Sequence, residues 1–321
     1  MSQNFRCNYS FTFFSCFLLS LASQAAIFGE SNILDIAKAS GFSKESQSIA
    51  VAVLSANHQS IDSKQIEIDL DSLEGIFCPS EPFAGHSSLS YACTGFLVAP
   101  DLLVTAGHCA SNVGETKNET GMYCEAFQWL FGYESEKGDG LASKLFPVED
   151  FYRCRKIIYA VREESFPFRD FALIQLDRPV KGRSPLNLAK EPVKSTEKLA
   201  MLGHPWGTPL KLTNDGEVLV NAMNRQQFLT NLDAFSGNSG SPVLNEKKEV
   251  VGILIGGTPS QDRVPHPQAS CQVLNRCDSQ GKNCLAPDKD TSQFPGFQGV
   301  GSEVQRLEPI LQMLEALKLH P

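Results

Sequence analysis

The stretch CTGFLVAPDLLVTAGHC, Cys93 to Cys109, decides how the rest of the chain is read. Two apolar runs, TGFLVA and LLVT, flank a Pro-Asp pair that favours a turn, so the segment reads as an antiparallel hairpin. It closes on TAGHC, a tight turn of small residues that carries His108, with a cysteine at each end of the whole stretch. Joining Cys93 to Cys109 would pin both strand ends beside the imidazole, and a general base needs that immobility. A lone histidine is ordinarily a solvated or core ring; the bracketing cysteines and the turn mark His108 as a candidate base.

Working outward, the same short strand-like runs recur: SIAVAVLS, QIEIDL, FQWLFGY, RKIIYAV, FALIQL, KLAMLG, EVLVNAM, QFLTNL, SPVLN and EVVGILIGG. Gly, Pro, Asp and Asn punctuate them at short intervals. Many short strands separated by turn formers predict an all-β sandwich or barrel. In EVQRLEPILQMLEALKL, Val304, Leu307, Leu311 and Leu314 fall at helical spacing, which predicts a packing helix over 303–321. The segment between Thr258 and Gly296, rich in Pro, Ser, Asp and Gln, is a long loop that its three cysteines are expected to staple.

Composition limits the function classes. The 321 residues are 42% hydrophobic and 20% charged, with a net charge of −8 and no basic block, which argues against nucleic acid or an anionic membrane as a partner. At the N-terminus the apolar run Phe11–Ala22, followed by SQAA, has the layout of a secretory signal and is short for a membrane span. Residues 1–26 are therefore set aside, and Ile27 is expected to begin the mature chain. Removing Cys7 and Cys16 leaves Cys78, Cys93, Cys109, Cys124, Cys154, Cys271, Cys277 and Cys284, an even set in an exported protein. Disulfides are the expectation. No C-x-x-C pair, finger-spaced histidine or HExxH motif is present, so neither metal nor cofactor is expected.

Two further stretches supply partners for His108. FRDFALIQLD places Asp170 at the mouth of a buried strand, where a partly desolvated carboxylate can fix a histidine tautomer. DAFSGNSGSPV, Asp233 to Val243, sets Ser239 among small residues. Such a cluster alone would be a turn. The chain order His108, Asp170, Ser239 is the one used by chymotrypsin-type proteases; α/β-hydrolases and subtilisin use other orders, and GNSGS does not fit the G-x-S-x-G elbow.

On the motifs TAGHC, DFALI and GNSGSPV together the chain resembles the chymotrypsin-fold serine proteases, in the bacterial branch that includes the glutamyl endopeptidases. The resemblance runs from about Ser48 to Val304. It implies two antiparallel six-stranded β-barrels with a C-terminal α-helix, partitioned as a first barrel over 27–182, a second over 183–302 and the helix over 303–321. It implies that Ser239 attacks the scissile carbonyl, that His108 moves the proton, that Asp170 orients His108, and that the N–H groups of Gly237 and Ser239 bind the oxyanion. The substrate backbone would pair with Ile255, Gly256 and Gly257.

Asn238 stands where animal relatives have an aspartate that pairs with a new N-terminus, so activation by that ion pair is not expected. Leu254 stands where glutamyl endopeptidases carry a histidine, which disfavours glutamate specificity. Asp233, six residues before Ser239, has the offset of a pocket-floor aspartate that selects Lys or Arg. Its plainer role is to cap backbone N–H groups. His204 in GHPWGTPLK is expected to be structural, and Trp206 to pack. Cys124 and Cys154 bracket one strand-rich region and are expected to pair; Cys78, Cys271, Cys277 and Cys284 then allow three connectivities. The expectation is a secreted or periplasmic monomeric endopeptidase acting on proteins or peptides, against two rivals: a silent homologue that binds a partner, or an esterase using the same triad.

Overall fold

Strands Thr94–Ala99 and Leu102–Thr105 pair antiparallel, with Phe96 opposite Val104 and Leu97 opposite Leu103. Both are buried along their whole length. Successive side chains of a strand point to opposite faces. Leu97 and Leu103 accordingly fill an interior with Trp129, Phe131 and Ile174, while Phe96, Val98 and Val104 join a second cluster on the other side. Two buried faces explain why these runs are apolar without alternation.

The structure, a computed structural model, describes residues 26–90, 92–111, 122–134, 143–163, 165–258, 261–286, 294 and 297–318. Residues 1–25, which hold the expected signal, and 319–321, the end of the expected helix, lie outside them. Six strands close the first barrel, in the order Phe127–Phe131, Phe151–Arg162, Asp170–Leu176, Leu102–Thr105, Thr94–Ala99 and Ile49–Leu54. Six more form the second: Lys198–Gly203, Pro242–Leu244, Val250–Thr258, Gly301–Arg306, Gln227–Thr230 and Lys211–Val220, closed by pairing of the last with the first. This is the all-β, two-barrel architecture that the resemblance implied.

The barrels meet along an apolar seam. Ile49, Phe96, Val104 and Phe171 of the first contact the cluster formed by Leu202, Leu212, Leu244 and Ile253 of the second. Each such side chain contributes about 1.5–3 kcal/mol on burial, so the seam dominates the attachment of one barrel to the other.

Two expectations are corrected. The N-terminal segment does not belong to the first barrel: Ile27–Phe28 pairs with Arg276–Cys277, and Ile33–Asp35 adds to the edge of Lys211–Val220. The partition 27–182 fails because these short strands find their partners more than 170 residues away. The C-terminal helix spans Glu308–Ala316, not 303–321. Val304 lies in the strand Gly301–Arg306, which bonds to Gln227–Thr230 and Val250–Thr258 and completes the second barrel. Pro309 in the first helical turn marks the real start. QIEIDL forms the expected strand, Gln65–Asp69, and pairs outside the barrels in a three-stranded sheet with His58–Ser60 and Ser143–Pro147.

Candidate active site

His108 lies on the single turn Gly107–Cys109 that follows the Leu102–Thr105 strand. Gly107 is required there: a Cβ on it would stand 1.8 Å from the Val161 carbonyl oxygen and 2.8 Å from Asp170 Oδ1. Without that Cβ, Asp170 approaches closely enough to hold His108 twice. Its Oδ1 accepts the His108 backbone N–H and its Oδ2 meets Nδ1, both at 2.8 Å. An ionised carboxylate only accepts, so the ring donates through Nδ1–H, and in the neutral ring Nε2 carries the lone pair. The two side chains are 14% and 15% exposed, sheltered but not sealed.

The turn that carries Ser239 belongs to the second barrel and is fastened to this hairpin. Thr94 donates its N–H to the Ser239 carbonyl and its hydroxyl to the Gly237 carbonyl, each at 2.8 Å, while Thr105 Oγ1 donates to the Thr94 carbonyl at 2.7 Å. The Cys93–Cys109 disulfide bridges the residues next to Thr94 and His108. The structure therefore brings the His108 hairpin, Asp170 and the Ser239 turn to one place on the seam.

The turn itself explains its small residues. Gly237 has φ +94°, and a Cβ on it would lie 2.4 Å from the His204 carbonyl oxygen. A side-chain-bearing residue is strained in that conformation and has no room. Asn238 is turned inward: its N–H donates to the Phe235 carbonyl at 3.0 Å and its Oδ1 accepts the Phe235 N–H at 3.1 Å. That closed loop of bonds is internal to the turn. Leu254 continues the link to the expected substrate strand, accepting from Gly240 N–H at 2.7 Å and donating to the Ser241 carbonyl at 2.9 Å. Ile255, Gly256 and Gly257 follow it on Val250–Thr258, after an irregularity in pairing between Leu254 and Gly256.

Asp233 takes the plainer of its two expected roles, capping backbone N–H groups rather than facing a substrate pocket. It is 1% exposed. Its Oδ1 accepts the Phe28 N–H at 2.8 Å and its Oδ2 the Asn32 N–H at 3.3 Å. Burial pushes its carboxyl up to about 7, partly offset by those two N–H groups and by Arg276. The carboxylate caps the N-terminal segment, so it is not open to a substrate side chain.

His204 is buried and stacks on Tyr133, with Nδ1 3.0 Å from the Thr208 carbonyl oxygen. Burial lowers its pKa to about 4. It is a structural ring. Trp206 packs between Phe77 and Phe235, under the Arg263 guanidinium. The cysteines pair as Cys78–Cys271, Cys93–Cys109, Cys124–Cys154 and Cys277–Cys284. Among the described residues, Cys93, His108 and Cys109 are near enough to share a metal ion, but the two sulfurs are bonded to each other and offer no thiolate.

Sequence reading missed Thr94, Thr105 and Gly240. A Cβ on Gly240 would lie 2.0 Å from the Thr94 carbonyl oxygen. Thr94 had a local signal, since it directly follows Cys93 in the hairpin; the partners of its hydroxyl lie more than 100 residues away.

Residues 93–253 match the family described as "Trypsin-like peptidase domain", about half of the chain and all three motif segments. The chain belongs to that trypsin-like peptidase family. Over 65 residues it is 34% identical to the glutamyl endopeptidase of Staphylococcus aureus strain MRSA252 and 32% identical to that of strain MW2. Each match covers 20% of this chain and 18% or 20% of the relative, so it spans about a fifth of either protein. Among solved structures, a Glu endopeptidase in complex with MPD aligns with 91% of this chain and 99% of its own at 14% identity and TM-score 0.49. The scabies mite inactivated protease paralogue S-I1 aligns with 91% and 98% at 14% identity and TM-score 0.46.

Proposed function

We propose that the chain is an exported serine endopeptidase with Ser239 as nucleophile, His108 as general base and then acid, and Asp170 as the carboxylate that orients His108. The observation that carries this reading is the double hold of Asp170 on the His108 N–H and Nδ1. In the reaction Ser239 Oγ attacks the scissile carbonyl as its proton passes to His108 Nε2. The N–H groups of Gly237 and Ser239 bind the oxyanion, a service worth about 3–4 kcal/mol per donor in such sites. His108 then protonates the leaving amine. Water, deprotonated by the same nitrogen, releases the acyl group and restores Ser239.

Export is supported by the four disulfides and by the signal-like residues 1–26. Among the described residues no helix is long and apolar enough to cross a membrane. Proteins or peptides are the substrates the family implies, and the chain is expected to act as a monomer. Asp233 does not supply a preference for Lys or Arg, because its carboxylate is occupied by the Phe28 and Asn32 N–H groups.

The test is a fluorophosphonate probe read by intact mass on the mature protein, with Ser239→Ala as control. One adduct on the wild type alone supports the reading. No adduct on a folded, disulfide-complete protein rejects it in favour of a binding homologue. Turnover of esters without peptides would favour an esterase.

A further inference from the structure

We propose that Gln227 and Gln305, a facing pair on neighbouring strands of the second barrel, are positioning residues that fix Asp170 of the first barrel against His108. The proposal rests on the triad reading above. The two glutamines are opposite each other in the antiparallel pairing of Gln227–Thr230 with Gly301–Arg306, so their side chains share one face. That face meets the segment leading into Asp170. Gln305 Oε1 accepts the Asp170 backbone N–H at 3.0 Å, and Gln227 Nε2 donates to the Phe168 carbonyl.

The amide of Gln305 has one possible orientation. Its Nε2 donates to the Gln226 carbonyl at 3.0 Å and the Arg306 carbonyl at 3.3 Å, which leaves only its oxygen for Asp170. Both donors of that side chain are used, and its oxygen accepts the Asp170 N–H. Gln305 is 0% and Gln227 4% exposed, at the margin of a seam otherwise filled by Phe171, Ile253 and other apolar groups. A buried amide is unfavourable unless bonded, and a Leu or Met would fill such a position at no desolvation cost. The presence of two amides is accounted for by what they hold.

The same segment is gripped from the first barrel. Arg169 makes three bonds to the Glu163 carboxylate, two from its guanidinium at 3.1 and 2.6 Å and one from its backbone N–H at 3.2 Å, and its carbonyl accepts the Glu163 N–H at 2.9 Å. Asp170 thus leaves a loop closed on one side by Glu163 and held on the other by the glutamines. The consequence reaches across the seam: the acid and the base stand on the first barrel, the nucleophile on the second. Thr94 ties the first barrel to the nucleophile turn, and Gln305 ties the second barrel to the acid. A small slip between barrels would otherwise change the alignment of all three groups.

The experiment follows the rate of fluorophosphonate attachment to Ser239, from acid to mildly alkaline pH, in wild type, Gln305→Met, Gln227→Met and the double variant. Ser239→Ala is the blank, and thermal midpoints are recorded beside the rates. The expected result is a fall of about ten- to a hundredfold in the plateau rate, the scale of a misplacement near 1 Å. The pH midpoint of labelling should also move to lower pH, because a loosened carboxylate supports the imidazolium less. Lower thermal midpoints with unchanged rate and pH midpoint in the folded protein would overturn the positioning role while leaving the triad standing. A wild type that does not label would overturn the triad reading and the proposal with it. If Gln305→Met does not fold, Gln227→Met decides, since its amide is invoked only for the Phe168 carbonyl.

Discussion

Thr94 of the first barrel donates its backbone N–H to the carbonyl of Ser239 in the second, at 2.8 Å. Its hydroxyl serves the same turn, donating to the Gly237 carbonyl at 2.8 Å and accepting the His204 N–H at 3.1 Å. Thr94→Val keeps the shape and removes both hydroxyl bonds, leaving the buried His204 N–H and the partly buried Gly237 carbonyl without them. A loss of about 1–3 kcal/mol in stability is expected, read as a lower urea midpoint. Fluorophosphonate labelling of Ser239 should slow in the folded variant. If midpoint and rate both match wild type, Thr94 does not hold the turn.

Gly237 makes a sharper demand, because both its φ of +94° and the 2.4 Å approach of the His204 carbonyl oxygen exclude a Cβ. Gly237→Ala must therefore move the peptide that carries one expected oxyanion donor. The acylation burst with an activated ester should fall by about 10²–10³, the effect of losing one such donor. An unchanged burst would remove Gly237 from that role.

The strands were legible because their chemistry is local. Thr94–Ala99 and Leu102–Thr105 are apolar on both faces, and the Asp170–Leu176 strand announces itself in FALIQL. The last barrel strand was hidden because Val304 and Leu307 are three apart, a spacing that continues into the real helix and imitates its pattern. Which of the two readings of Asp233 holds is not a local matter. Nothing near it in sequence reveals that its acceptors are spent on Phe28 and Asn32, 205 and 201 residues away. The triad motifs were readable because glycine and cysteine mark where backbones must approach; the threonine and glutamine ties between barrels depend on register alone.

Cys78–Cys271 closes a separation of 193 residues and fastens the segment bearing Leu73, Phe77 and Phe83 over Phe235 of the nucleophile turn. Replacing both cysteines by serine should cost about 2–5 kcal/mol, seen as a lower thermal midpoint. Labelling of Ser239 should slow as well, since Phe235 loses the lid that packs it. A variant as stable and reactive as wild type would show that the apolar contacts suffice.

Two buried groups should give the protein opposing pH dependences. His204 titrates near 4 when folded, against 6.5 in a free chain, because burial disfavours its charged form. Its contribution is complete above pH 6.5 and is lost as pH falls toward 4, by up to about 3 kcal/mol. Asp233 is raised by burial from 3.8 to about 7, so the folded state holds its proton more tightly than the unfolded chain. Its contribution is complete below pH 3.8 and is lost as pH rises through about 7. Between these limits the two slopes partly cancel in the wild type, and single variants separate them. His204→Asn keeps a donor for the Thr208 carbonyl and should leave the Asp233 slope alone, so that stability, measured as urea midpoints, falls as pH rises from about 4 to 7. Asp233→Asn keeps an acceptor for Phe28 and should leave the His204 slope alone, so that stability falls as pH drops from 6.5 toward 4. If either variant keeps the wild-type slope, that group does not titrate differently in the folded and unfolded states, and its burial has been relieved by solvent.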